Sequence, residues 1–133
     1  MKKTDLDLCY MTATDAIQKF KARELSPVEL CNALIKRNEE IGPKLNATTY
    51  TFFDRALKEA RQAEAKYKNP KGRRLRPLEG ICVGIKDFHS VKGEITTYGS
   101  KAYENFKPDQ TAPTVERLLK AGAILTSRTT TPE

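Results

Sequence analysis

The segment Gly80-Ile81-Cys82-Val83-Gly84-Ile85-Lys86 constrains the fold more than any other. It is short and almost continuously apolar, the pattern of a strand buried on both faces of a sheet. Beyond it, Gly93, Gly99 and Pro108 mark a loop. A helix is expected from about Ala112 to Ala121, with Val115, Leu118 and Leu119 inward and Gly122 as its stop. Ala123 to Thr126 reads as a second apolar strand. Strand, helix, strand is the βαβ unit, so a parallel sheet is expected.

Upstream the periodicity is helical. Thr12 with Asp15 three residues later opens a helix through about Ala22, with Ala13, Ala16, Ile17 and Phe20 at helical spacing. Ser26-Pro27-Val28-Glu29 is a stronger start: a capping serine, a proline at the first helical position and a glutamate that reaches back to the cap. Leu30, Cys31, Leu34, Ile35 and Ile41 form its apolar stripe, and Gly42-Pro43 is expected to stop it. Asn46 to Phe53 reads as a short extended segment. From Asp54 a further stripe of Ala56, Leu57, Ala60 and Ala63 indicates another helix. The expected organisation of residues 1–133 is thus a mostly helical stretch over 1–65, a basic linker over 66–76 and a β-α-β segment over 77–133.

Charge is concentrated in that linker. The formal net charge is +7, and Lys66, Lys68, Lys71, Arg73, Arg74 and Arg76 fall within eleven residues without an acid among them. Such a run could contact nucleic-acid phosphate. It is read as a solvated connection instead, because Asn69, Pro70 and Gly72 interrupt it and no aromatic stacking platform accompanies it. Three scattered cysteines, Cys9, Cys31 and Cys82, argue against a disulfide scaffold or zinc site and for a reducing, cytoplasmic setting. Two aspartates interrupt the N-terminal run, so neither a signal peptide nor a membrane span is expected.

Several chemistries are excluded by what is missing. The single histidine, His89, is followed at once by Ser90, and adjacent positions do not make a triad. No phosphate-cradling glycine run is present. Lys86 is different. In an extended strand Ile81, Val83 and Ile85 share one face and Cys82, Gly84 and Lys86 the other, so a long amine emerges beside small neighbours at the carboxyl end of a buried strand. A lysine acting as general base must be neutral, and burial can move its pKa from about 10.4 toward 7. The expectation is therefore a sheltered Lys86, with Asp87 turned to the opposite face.

The residues around Lys86 carry a resemblance. Pro77-Leu78-Glu79-Gly80-Ile81-Cys82-Val83-Gly84-Ile85-Lys86-Asp87 resembles the segment around the lysine of the amidase signature family. Val91-Lys92-Gly93, Thr96-Thr97-Tyr98-Gly99-Ser100, Ala112-Pro113-Thr114-Val115-Glu116-Arg117-Leu118, Ala121-Gly122-Ala123 and Thr129-Thr130-Thr131-Pro132-Glu133 follow in the family's order, and Glu24-Leu25-Ser26-Pro27-Val28-Glu29 precedes it. Members usually have proline at Cys82, often an acid at Thr111, and Gly-Lys where this chain has Ser127-Arg128. The cysteine is read as a small buried residue and not as a nucleophile.

The resemblance implies an α/β/α fold with a mixed central sheet, incomplete as given, and hydrolysis of a carboxamide. Lys86 would take a proton from a bridging serine in a cis peptide, which activates a second serine that forms an acyl-enzyme. Both serines belong to a later segment of the family's sequence, so this chain supplies the lysine only and is expected to be inactive alone. Thr97 and Ser100 are candidates to brace the lysine pocket. No cofactor or metal is implied. The partners implied are a small amide substrate and the remainder of the amidase chain, with a homodimer of the longer enzyme compatible. Three alternatives stay open: the glutaminase (A-type) subunit of a tRNA-dependent amidotransferase, a non-catalytic basic nucleic-acid-binding module, and a non-catalytic remnant acting as a scaffold.

Overall fold

The computed structural model describes residues 5–69 and 74–131. The chain order is α1 (Asp5–Cys9), α2 (Ala13–Ala22), α3 (Pro27–Leu45), β1 (Thr48–Thr51), α4 (Phe53–Lys68), β2 (Cys82–Lys86), a short 3-10 turn (Lys101–Tyr103), α5 (Pro113–Lys120) and β3 (Ile124–Thr129). The three strands form one mixed sheet in the order β1-β3-β2, with β2 parallel and β1 antiparallel to β3. The fold is the α/β type expected, with helices on both faces of the sheet.

Local signals act as the sequence indicates at the starts of α2 and α3. The Thr12 hydroxyl accepts the Asp15 N–H and begins α2. Ser26 and Glu29 form a complete capping box at the start of α3. One expectation is corrected. Gly42-Pro43 does not end α3, which runs to Leu45 with Pro43 inside its last turn. A proline there forfeits a single backbone bond, and Asn46, in the left-handed region at φ 50°, closes the helix by donating its N–H to the Gly42 carbonyl at 2.7 Å.

The core is divided by the sheet. On one face, Cys31 of α3 and Ala56 and Ala60 of α4 pack with Ile124 and Cys82. On the other, Ile85 and Leu125 pack with Val91 and with Val115 of α5. A third cluster joins Ala16, Phe20, Leu30, Tyr67 and Ile81 and ties α2 to the start of β2. The strand β2 is not buried on both faces throughout. Gly84 and Lys86 are exposed, and the packing of α3 and α4 on that face reaches Cys82.

The basic run departs from a simple linker. Lys66 and Lys68 belong to α4, and Lys71 and Arg73 lie outside the described residues. Lys66 and Arg76 converge on Glu79, whose side chain is buried, at 2.8 Å and 2.7 Å. Tyr67 donates its hydroxyl to the Glu79 carbonyl at 2.9 Å. The turn ahead of β2 is thereby fastened to α4. Burial alone would raise the Glu79 carboxyl; the hydrogen bonds from Arg76 and Lys66 outweigh it and hold its pKa down at about 2.

A group depressed from 4.5 to about 2 stabilises the fold above pH 4.5 and loses that contribution as pH falls toward 2. Arg76 and Lys66 remain partly in water, so Glu79→Gln is expected to cost a discounted value of about 2 kcal/mol at pH 7. Urea unfolding should show the gap between the two proteins closing as pH is lowered through that window; a gap independent of pH would refute the ion-pair account.

Candidate active site

The strand β3 contains one more residue than a regular ladder allows. Val83 pairs with Leu125, but Gly84 pairs with Ser127, so Thr126 is an extra residue at a β-bulge. The bulge reverses the alternation of every side chain after it. Ser127 and Thr129 come to the face of Gly84 and Lys86, and a Cβ on Gly84 would stand 3.4 Å from Ser127 Oγ and 3.1 Å from Thr129 Cγ2. Arg128 goes to the opposite face, opposite Ile85.

There Arg128 meets Asp87. Both are fully buried, and Arg128 Nη2 donates to Asp87 Oδ1 at 3.2 Å, to the His89 carbonyl at 2.6 Å and to Thr96 Oγ1 at 3.3 Å. Asp87 also accepts the Thr97 N–H at 3.2 Å and the Thr97 hydroxyl. Asp87 N–H donates to the Thr129 carbonyl and its carbonyl accepts the Tyr98 N–H. All three side-chain contacts of Arg128 come from one nitrogen, while its Nε and Nη1 are buried without partners among the described residues.

Lys86, the last residue of β2, points the other way, as alternation requires. It is exposed, and none of the described residues bonds its Nζ. The sheltered amine expected from the sequence is thus corrected: burial ends at Cys82 on this face, and the described residues leave the amine in solvent. A depression of about 210 Å³ opens on the same face, lined by Leu34, Ile35, Asn38, Phe53, Cys82, Gly84, Thr126 and Ser127. A larger one of about 770 Å³ is built by α1, α2, α3 and their connections and includes no residue of β2.

The other sequence candidates are placed as follows. Thr97 holds the Asp87 carboxylate and so touches the residue next to Lys86. Ser100 caps the 3-10 turn by accepting the Ala102 N–H, away from that contact. His89 is exposed, with its carbonyl bound inward. The neighbouring Cys31 thiol, and burial, push the Cys82 thiol up, which favours its uncharged form. Asp87, Thr96 and Arg128 were missed as a cluster. Ending the second strand at Thr126 hid them, since simple alternation from Ile124 would put Arg128 on the wrong face.

Comparison with known proteins decides the family: the amidase family model matches residues 29–133. This chain belongs to the amidase family. Among amidase relatives, it is 38% identical over 128 residues to the A-type subunit of the Glutamyl-tRNA(Gln) amidotransferase of Carboxydothermus hydrogenoformans, covering 96% of this chain and 26% of that protein. It is 33% identical to an acylamidase of Rhodococcus erythropolis, covering 98% and 27%. Among solved amidase structures, fatty acid amide hydrolase superimposes with a TM-score of 0.87 at 28% identity, covering 99% of this chain and 23% of that one. The native peptide amidase of Stenotrophomonas maltophilia gives 0.78 at 32%, covering 90% and 24%. The chain therefore spans about a quarter of the length of these amidases.

The two faces of β2 predict opposite mutational costs. Lys86→Ala removes an exposed side chain without a bonded partner and should change stability by less than about 0.5 kcal/mol. Arg128→Met strands a buried carboxylate and should cost about 3–5 kcal/mol. Chemical denaturation of the two variants checks this directly, and similar costs for both would contradict the assignment of faces.

Proposed function

We propose that this chain contributes the proton-accepting lysine, Lys86, to hydrolysis of a carboxamide by the serine–cis-serine–lysine mechanism of its family, with both serines supplied by polypeptide outside these 133 residues. One observation carries the reading. Lys86 stands at the carboxyl end of β2, where α/β folds gather reacting groups, on a sheet face whose packing against α3 and α4 reaches Cys82, four residues earlier. The uncovered face, Gly84, Ser127 and the adjoining depression leave room for further chain against the amine. That chain would also bring the desolvation a neutral lysine requires, which nothing described here provides. The substrate would be a small amide, the setting cytoplasmic, and the isolated chain would not turn over. Among the described residues no helix is long and apolar enough to cross a membrane.

A second reading, glutamine hydrolysis within a tRNA-dependent amidotransferase, is favoured by the 38% identity to the A-type component of such an enzyme. The two differ in the amide cleaved and not in the role of Lys86.

The test replaces the matching quarter of the Rhodococcus erythropolis acylamidase with these residues. The chimera should hydrolyse a chromogenic acyl anilide, and Lys86→Ala should lower acylation by about 10²–10⁴-fold, the usual worth of a general base. Undiminished acylation by Lys86→Ala would dismiss the lysine as the base. The equivalent graft into the amidotransferase should release ammonia from glutamine if the second reading holds.

A further inference from the structure

We propose that the buried Asp87–Arg128 pair, with Thr96 and Thr97, is a positioning device for Lys86: it locks the turn that follows the lysine from inside the protein, so that the amine can project only from the open face of β2. The inference rests on the catalytic reading of Lys86 for its purpose, but not for its geometry.

The residues after Lys86 fold back at once. The His89 N–H donates to the Lys86 carbonyl at 3.0 Å, closing a tight turn over residues 86 to 89. A turn so short could rock about the strand end. Arg128 Nη2 prevents this by holding both limbs, through the Asp87 carboxylate and the His89 carbonyl. Thr97 then ties the second oxygen of Asp87 to the loop that returns alongside. The Tyr98 N–H reaches the Asp87 carbonyl at 3.0 Å, although this requires Tyr98 to adopt φ 53°. A bulky residue takes that conformation only where its surroundings impose it. Edge-to-face contacts of Tyr98 with Phe88 and Tyr103, at ring separations of 5.9 Å and 5.6 Å, pack the outer side of the same loop.

The links therefore converge on the turn that follows Lys86, and none touches Lys86 Nζ. Arg128 and Asp87 act through the backbone. Their position also explains why a charged pair is retained in the interior, where an apolar pair of similar volume would be no less stable. A pair of apolar side chains would fill the space without fixing the turn.

The device can be read on this chain without turnover, by amide hydrogen exchange at Asp87, His89 and Tyr98. Arg128→Gln should accelerate exchange at these three amides by about 10²-fold while the amides of α3 and α4 keep their protection. Thr97→Val, which keeps the buried charges paired, should give about a tenfold local effect and serves if Arg128→Gln does not fold. Arg128→Lys should restore exchange to within about threefold, because an ammonium carries three N–H donors for the three acceptors that Nη2 serves here with two. In the acylamidase chimera, Thr97→Val and Arg128→Gln should lower kcat by up to about 10²-fold with KM nearly unchanged, the signature of a misplaced reacting group. Unchanged exchange at the three amides, acceleration spread equally over α3 and α4, failure of Arg128→Lys to restore, or an unaffected kcat would each overturn the proposal. Retained acylation by Lys86→Ala, with the exchange pattern intact, would instead remove the base and leave the lock standing.

Discussion

A single extra residue, Thr126, governs how this part of the molecule is arranged. Strand side chains alternate strictly, so inserting one residue between paired positions exchanges the faces of everything that follows. Leu125 before the bulge and Arg128 after it both face the α5 layer, whereas regular alternation would separate them. Arg128 thereby reaches Asp87, and Ser127 and Thr129, small and polar, stand beside Gly84 and Lys86, where an unbroken register would put Arg128 opposite Lys86. The Thr126 hydroxyl donates to the Val83 carbonyl at 3.1 Å, and its carbonyl accepts the Phe52 N–H, so the irregularity is itself bonded on both sides. The sheet thus gives up regularity at one point to separate two kinds of chemistry.

That separation makes the two faces of β2 physically different objects. On the α5 face, Ile85 and the Asp87–Arg128 pair are wholly enclosed, and enclosure is what gives the pair its rigidity: a buried charge without its partner is costly, so neither side chain can leave. On the opposite face, Ala56 and Ala60 of α4 and Cys31 of α3 pack at the amino end of the strand, around Cys82, while Gly84 borders an open depression and Lys86 beyond it is exposed. An amine held by its backbone yet uncovered at its tip is suited to meet another surface, and desolvation then comes with that surface.

The sequence was most legible where local chemistry decides structure. Thr12 and the Ser26 box cap helices because their side chains satisfy free N–H groups within three residues. The apolar run into Lys86 becomes β2 for a similarly local reason. Legibility failed where the outcome depends on distant partners. Pro43 sits inside α3 because the lost bond falls in a last turn closed by Asn46. The end of β3 was misjudged because Ser127 and Arg128 look polar in sequence, and only the Asp87 carboxylate, forty-one residues away, makes that polarity an interior feature. The exposure of Lys86 was hidden for the converse reason. Strand composition reports what can be buried, and not whether a neighbouring element reaches far enough to bury it.

The Glu79 cluster belongs to the same logic at the other end of β2. Gly122, at φ 102°, packs where an added Cβ would stand 2.9 Å from the Glu79 backbone, so the chain entering β3 and the chain entering β2 touch through main-chain atoms. The Gly80 N–H to the Gly122 carbonyl and the Leu78 N–H to the Ala121 carbonyl pin them together. Lys66 and Arg76 neutralise the carboxylate buried beside that crossing. Both ends of the β2–β3 pair are therefore fastened by a buried carboxylate and a basic partner, Glu79 before the strands and Asp87 after them. With neither end free to shear, register between the two strands is determined, and the bulge cannot migrate. A mobile bulge would carry Arg128 to the open face and Ser127 inside, so fixing the register is what keeps the lysine on one side and its anchor on the other.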